Sequence, residues 1–177
     1  DGDLDIFVTN FNDQNNCLYQ NTGNGYFIKI QDSIISTDKG YSTGSCWGDY
    51  DNDGDLDLFV ANFGQQNFMY QNNGDGTFIK VESGALVESR TNSMSCSWAD
   101  FDRDGHLDLF VANSGDQNND LFISLGNDNG WINLELKGRS SNASAIGAKV
   151  RLLAYLDGIP VWQTREISAQ TGLNAQD

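Results

Sequence analysis

The stretch DYDNDGDLDLFVAN, residues 49–62, decides the fold of this chain. Aspartate stands at alternate positions of a short polar segment, glycine follows, and the chain then runs directly into apolar residues. From residue 56 onward the side chains are rich in β-formers and show no helical apolar stripe. The stretch therefore predicts an acidic turn that leads into a β-strand.

The same unit occurs three times along the chain. DGDLDIFVTN begins at Asp1, DGDLDLFVAN at Asp53 and DGHLDLFVAN at Asp104. The similarity continues downstream, where residues 15–30 (NNCLYQNTGNGYFIKI) resemble residues 66–81 (QNFMYQNNGDGTFIKV). Repetition with a period of about 50 residues is typical of repeat architectures.

Each unit predicts four short antiparallel strands. In the second copy they lie near residues 45–48, 56–61, 68–71 and 78–81. Asn-Gly and Asp-Gly pairs within residues 72–76 supply the positive φ angles of a tight hairpin. Four strands in each unit of about 50 residues predict the blades of a β-propeller, so the expected fold is all-β. Because so few repeats cannot close a ring, we expect an incomplete propeller, a fragment of a longer protein.

The charge balance changes near residue 130, which predicts a domain boundary. Five basic and 21 acidic side chains precede residue 131, whereas five basic and four acidic ones follow. We expect propeller blades over 1–129 and a small β-domain, incomplete at its C-terminal end, over 130–177. The strands predicted in the second domain span residues 131–136, 148–155 and 163–167.

Net charge is −15, and the acidic residues are mostly aspartate concentrated in three clusters. Such a chain repels nucleic acid and anionic lipid and attracts cations or basic partners. No apolar run approaches the roughly 20 residues that a membrane-spanning helix needs, so no membrane insertion is expected. The three cysteines have no metal-site spacing, and buried free thiols are favoured over a disulfide.

The acidic segments predict calcium sites. We call residues 1–5, 49–57 and 100–108 loop 1, loop 2 and loop 3. In loop 2 the pattern is D-x-D-x-D-G-x-x-D, in which alternate carboxylates can converge once Gly54 permits a sharp bend. Hard oxygen ligands suit calcium over zinc or copper, and magnesium should bind more weakly. The candidate ligands of loop 2 are Asp49, Asp51, Asp53, the backbone carbonyl of Asp55, and Asp57.

The other two loops repeat this pattern to different degrees. The candidate ligands of loop 3 are Asp100, Asp102, Asp104, the backbone carbonyl of His106, and Asp108. Loop 1 retains only Asp1, Asp3 and Asp5 and lacks the first two ligand positions, so we expect weak binding or none. A helix-loop-helix calcium site would need glutamate at position 12, where Val60 and Val111 stand instead.

Two simpler interpretations compete with a functional one. Asp-rich turns can be ordinary solvated turns, but two complete copies ahead of the same strand sequence argue against this. Trp47 and Trp98 each stand two residues before a loop, and blade packing is favoured over sugar stacking for both.

The segments GDYDNDGDLDLFVAN and ADFDRDGHLDLFVAN resemble the FG-GAP (VCBS-type) repeats of integrin-α-like propellers. In that family the acidic loop binds calcium between blade strands. The C-terminal part resembles the first part of an ASPIC/UnbV domain, and the combination resembles the cartilage acidic protein family. The matching positions of the C-terminal part are Trp131, Leu136, Gly138, Ser141, Asn142, Ile146, Gly147, Ala148, Val150 and Arg165.

These features predict a binding module rather than an enzyme. The leading hypothesis is a calcium-stabilised extracellular or cell-envelope propeller that presents loops to a protein or glycan partner. The alternative is a carbohydrate-binding propeller, either lectin-like or an accessory domain of a polysaccharide enzyme. A metal-dependent hydrolase is disfavoured because no His, Cys and Ser constellation is present.

Overall fold

The computed structural model describes residues 3–139, 142–156 and 158–167. Within these ranges the chain is nearly all β-structure with two one-turn helices, which confirms the all-β prediction. The elements are β1 (Ile6–Val8), β2 (Gln14–Asn15), β3 (Cys17–Asn21), β4 (Phe27–Ile30), α1 (Ile34–Thr37), β5 (Lys39–Gly40), β6 (Ser42–Gly48), β7 (Asp57–Asn62), β8 (Phe68–Asn72), β9 (Phe78–Lys80), α2 (Ala85–Glu88), β10 (Ser93–Ala99), β11 (Asp108–Asn113), β12 (Asp120–Phe122), β13 (Lys149–Leu156) and β14 (Ile159–Glu166).

The three sequence copies form three successive antiparallel sheets. Their strand orders are β1-β3-β4, then β6-β7-β8-β9, then β10-β11-β12. Among the described residues the middle copy alone has the four strands predicted for every copy, and the other two sheets have three. The predicted strands of the middle copy are confirmed, because each of its four lies within or overlaps β6, β7, β8 or β9.

Loops 2 and 3 occupy the same place in consecutive sheets. Loop 2 connects β6 to β7, and the pair Gly48↔Asp57 closes it. Loop 3 connects β10 to β11, and the pair Ala99↔Asp108 closes it. The repeated register pairs the residue before each loop with the last residue of that loop, at the end of a strand ladder.

The core lies on both faces of β7, which is buried along its whole length. Phe59 and Ala61 belong to a cluster that reaches the third sheet, while Leu58 and Val60 belong to a cluster that reaches the first. Strand alternation thus sends successive side chains into two cores. By contrast, Phe110 on β11 is 42 % exposed.

Both tryptophans next to the loops pack between sheets. Trp47 makes edge-to-face contacts with Phe7 and Phe78, with ring centroids 6.1 and 6.0 Å apart. The indole of Trp98 covers Gly48, where a Cβ atom would lie 2.6 Å from the ring. Their role is therefore packing, as the simpler interpretation predicts. The cysteines are free thiols, and two of the three are buried.

Within the residues that the structure describes, the C-terminal part contains one hairpin, in which β13 and β14 pair over eight residues. The strands predicted over 148–155 and 163–167 overlap this hairpin. The strand predicted over 131–136 is wrong, because those residues form no strand. In the described residues the hairpin pairs only with itself, so this apolar alternation has no ladder partner. No helix of the described residues is long and apolar enough to cross a membrane.

Candidate metal centres

Loop 2 brings three carboxylates together. One oxygen from each of Asp49, Asp51 and Asp57 lies within 4.8 Å of the other two. Asp49 follows β6 directly, and Asp57 is the first residue of β7. The chain curls between them because Asn52 and Gly54 adopt positive φ angles of 54° and 98°. When the pattern is numbered from Asp49 as position 1, the cluster consists of positions 1, 3 and 9, which are Asp49, Asp51 and Asp57.

Positions 5 and 7 of loop 2 lie outside this cluster. The carboxylate of Asp53 accepts a hydrogen bond from the Asp55 amide at 2.9 Å and so caps its own turn. The side chain of Asp55 lies over Gly74 in the hairpin between β8 and β9, where a Cβ atom would collide with the carboxylate. The carboxylate of Asp49 accepts a hydrogen bond from the Gly54 amide at 3.1 Å. These contacts hold the loop closed around positions 1, 3 and 9.

Asp57 has a structural role that the sequence did not reveal. Its side chain is fully buried. One oxygen accepts a hydrogen bond from the Tyr50 amide at 3.1 Å, and the other accepts one from the Asn72 amide at 2.8 Å. Asp57 thus fastens loop 2 to both β7 and β8.

The residue at this position has the same role in the other copies. Asp108 accepts hydrogen bonds from the amides of Phe101 and Ser124, both at 2.8 Å. In the first copy Asp5 accepts one from the Asn21 amide at 2.8 Å. One feature of the sequence indicates this structural role: loop 1 keeps the aspartate at its last position although it lacks the first two ligand positions.

Burial makes the negative charge of loop 2 costly. Desolvation raises the pKa values of Asp49 and Asp51, and neighbouring aspartates raise them further. Desolvation is also the main cause that raises the pKa of Asp57 to about 7. One oxygen of Asp51 accepts a hydrogen bond from the Gln71 amide group at 2.7 Å. Its other oxygen is buried and has no hydrogen-bond partner among the described residues, so it suits a bound cation.

Loop 3 repeats the cluster in a more open setting. One oxygen from each of Asp100, Asp102 and Asp108 lies within 4.8 Å of the other two. Asp102 and Asp104 are exposed, in contrast with their half-buried counterparts in loop 2. The carboxylate of Asp104 accepts a hydrogen bond from the His106 amide at 2.9 Å, so position 5 again caps its own turn.

Loop 1 has no such cluster among the described residues. Asp1 lies outside them. Asp3 lies beside Gly23, where a Cβ atom would approach its carboxylate to 2.8 Å, and Asp5 serves the hydrogen bond given above.

The side chain of His106 links the two complete loops. Its Nδ1 lies 2.8 Å from Nδ2 of the Asn52 side chain, and this Nδ2 also donates a hydrogen bond to the Gly105 carbonyl at 3.3 Å. The sequence pattern predicts no role for this side chain, because it needs only a backbone carbonyl at position 7. The contact depends on the distance between neighbouring sheets, which no local pattern encodes.

Two segments later in the chain, one on each side of residue 130, also reach loop 2. The Arg165 guanidinium lies 3.0 Å from the Asp49 carboxylate and 3.4 Å from the Gly54 carbonyl. The side-chain amides of Asn127 and Asn129 both donate hydrogen bonds to the Asp51 carbonyl. A cleft of about 650 Å³ lies between the hairpin, the segment after residue 130, and loops 2 and 3.

Fold and site together define a class: an all-β repeat protein whose acidic loops stand between paired strands. The FG-GAP-like repeat matches residues 1–60 and 49–111, so the chain belongs to that repeat family.

Three similar proteins share one name, cartilage acidic protein 1. The Xenopus tropicalis protein is 35 % identical over 77 residues, which cover 43 % of this chain and 12 % of that protein. The Homo sapiens protein is 36 % identical over 58 residues, covering 32 % and 9 %. The Mus musculus protein is 27 % identical over 174 residues, covering 89 % and 26 %. The matches thus span at most about a quarter of the length of these relatives.

Proposed function

We propose that this chain is a calcium-binding, non-enzymatic repeat module of an extracellular or cell-envelope protein. In this proposal residues 1–129 are blades of a β-propeller, and residues 130–177 are part of an ASPIC/UnbV-like domain. The observation that carries the proposal is the repeated carboxylate triad at the same ladder position in two sheets. The partner would be a protein or a glycan, since the strongly negative chain repels nucleic acid.

The donor set favours calcium. Calcium takes six to eight oxygen ligands in flexible geometry, and carboxylates, carbonyls and waters can together supply them. Each triad offers three carboxylates, and the buried unpartnered oxygen of Asp51 adds a specific reason for a cation in loop 2. Magnesium demands a tighter octahedron and keeps its waters, so its affinity should be lower.

Extracellular calcium suits such a site. Calcium-binding modules outside the cell work at dissociation constants of about 10⁻⁴–10⁻³ M. An affinity in this range would keep both loops occupied outside the cell and empty in the cytoplasm.

Calorimetric titration of the metal-free chain with calcium tests the proposal. We expect two sites, of which Asp51→Asn removes one and Asp102→Asn removes the other. Asp116→Asn is the matched control, because it deletes the same charge from an exposed turn. If the chain shows no heat of binding and no thermal shift at up to several millimolar calcium, this result would contradict calcium binding.

Carbohydrate binding is the second candidate, and the cleft favours it. Trp131 is 52 % exposed at the cleft, and Asn52 and Gln163 supply polar groups to its lining. Glycan-array binding of the chain in calcium, lost on Trp131→Ala, is the expected result. Equal binding by the variant would rule out this cleft as the glycan site.

A further inference from the structure

The C-terminal hairpin places a cation against loop 2. Arg165 on β14 contacts Asp49, one of the three clustered carboxylates, 116 residues away in the sequence. The pair is partly buried, with 39 % of the arginine side chain and 14 % of the aspartate side chain exposed. Water therefore screens this interaction less than it screens a surface ion pair.

Loop 3 has no equivalent partner among the described residues. Their ion pairs include none between a basic side chain and loop 3. The two loops share a ligand pattern, but a tethered guanidinium reduces the negative charge of loop 2 alone.

We propose that Arg165 competes electrostatically with the cation of loop 2, so that calcium binding there and docking of the β13–β14 hairpin oppose each other. The inference rests on the proposed calcium function. A guanidinium at 3.0 Å and a divalent ion would draw on the same cluster of carboxylates, and like charges at such separations repel. Binding free energies are reciprocal, so calcium weakens the docking of the hairpin by the factor by which Arg165 weakens calcium binding.

The segment just before residue 130 also contacts loop 2, and these contacts do not involve charge. The hydrogen bonds from Asn127 and Asn129 to the Asp51 carbonyl are neutral. Calcium would leave them largely unchanged, so the segment before residue 130 stays on loop 2 while the hairpin loosens. Calcium outside the cell would then regulate access to the cleft beside Arg165.

Calcium affinity measures this competition. The titration uses the full chain carrying Asp102→Asn, which isolates loop 2. Arg165→Gln should bind calcium about five- to tenfold more tightly than the parent, within the usual range of such couplings. Arg165→Lys keeps the charge and should stay close to the parent. Arg151→Gln is the matched control, because Arg151 belongs to the same hairpin but its guanidinium contacts the Trp162 ring, whose centre is 5.1 Å away. The calcium affinity of this variant should equal that of the parent.

Hydrogen exchange of the hairpin amides gives a readout independent of affinity. In the Asp102→Asn chain, saturating calcium should speed exchange in β13 and β14 several-fold. In the chain that also carries Arg165→Gln, calcium should leave exchange unchanged. If Arg165→Gln does not fold, the exchange result with Arg165 present decides the matter.

The failures can be told apart. Equal or weaker calcium binding by Arg165→Gln, or slower hairpin exchange in calcium, would overturn the competition while calcium binding stands. If loop 2 binds no calcium in any variant, both the proposed calcium function of this loop and the competition fail.

Discussion

Loops 2 and 3 have the same aspartate pattern and the same ladder position, yet their surroundings differ. Loop 2 lies next to loop 3, the asparagines that follow β12, and Arg165 of the C-terminal hairpin. Loop 3 leaves Asp102 and Asp104 exposed to water. The shared pattern therefore determines which carboxylates converge, whereas the neighbours determine how far those carboxylates are buried and neutralised.

The difference begins with the sheets. The second sheet has a packed sheet on each side, so β7 is wholly buried, while Phe110 on β11 is 42 % exposed. Burial in the middle of the molecule raises the free-energy cost of ionised carboxylates. If the proposed calcium sites exist, loop 2 should therefore gain more than loop 3 from a compensating cation.

The largest expected effect is the loss of the buried aspartate that closes each loop. Asp57→Ala leaves two backbone amides without their acceptor, and we expect a loss of about 3 kcal/mol in the free energy of unfolding. Asp108→Ala removes the two equivalent hydrogen bonds beside the more exposed loop 3, so about 2 kcal/mol is expected. Urea unfolding in a calcium chelator measures both without any contribution from the metal.

Asp53→Ala is the control for this pair, because its carboxylate caps only the Asp55 amide. A loss as large for Asp53→Ala as for Asp57→Ala would show that the closing aspartate has no special structural role.

Calcium itself should have the next largest effect. At 5 mM calcium and the affinities expected outside the cell, each occupied loop adds about 1–2 kcal/mol to the free energy of unfolding. Asp51→Asn and Asp102→Asn should each remove one share, and the double variant should remove both. Unfolding curves with and without calcium measure these shares. An undiminished calcium effect in the double variant would place the ion elsewhere.

The pH dependence should distinguish the two loops. The pKa of Asp57 is raised to about 7, so protons compete with calcium in loop 2 below that pH. Calcium affinity in the Asp102→Asn chain should fall about tenfold between pH 8 and pH 6. Affinity in the Asp51→Asn chain, which reports loop 3, should fall less. Equal slopes for the two chains would contradict the burial difference.

The same pKa shift has the opposite consequence in the calcium-free chain. The folded state binds the Asp57 proton more tightly than the unfolded chain does, because the folded pKa is higher. The contribution of Asp57 protonation to the free energy of unfolding is therefore present at low pH, and it is lost as the pH rises toward 7.

The smallest expected effect concerns Gly74, the hairpin glycine that lies against the side chain of Asp55. Gly74 and Gly76 both have positive φ angles, 74° and 87°, so alanine is strained at either site by about 1 kcal/mol. At Gly74 the new methyl group would also meet the Asp55 carboxylate, whereas at Gly76 it meets nothing within 4 Å. Gly74→Ala should thus cost about 1 kcal/mol more than Gly76→Ala in thermal unfolding. Equal losses of stability in the two variants would mean that the Asp55 side chain moves aside freely.

Much of the candidate site could be predicted from local pattern. The repeats, the strands of the middle copy and the acidic loops all follow from alternation and turn residues within about 15 positions. The pattern also predicts that Asp53 and Asp104 converge with the other ligands, but neither belongs to its carboxylate cluster. The structure shows that both cap their own turns, because a short side chain readily accepts a hydrogen bond from an amide two residues ahead.

The strand expected over 131–136 illustrates the limit of this reasoning. Apolar alternation there is genuine, but a strand exists only when another strand supplies its hydrogen bonds. The hairpin that follows pairs with itself, so the alternating side chains line the cleft instead.

The amino-acid order alone determined the repeated unit, its β-structure and the acidic turns, because alternation, glycine and Asp-rich segments act over a few neighbouring residues. The tertiary structure alone decided that Asp57 is buried, that Arg165 lies against Asp49, and that His106 contacts Asn52. Those features depend on how separate sheets pack, and a distance across 116 residues of chain is set by the whole core and not by any local pattern.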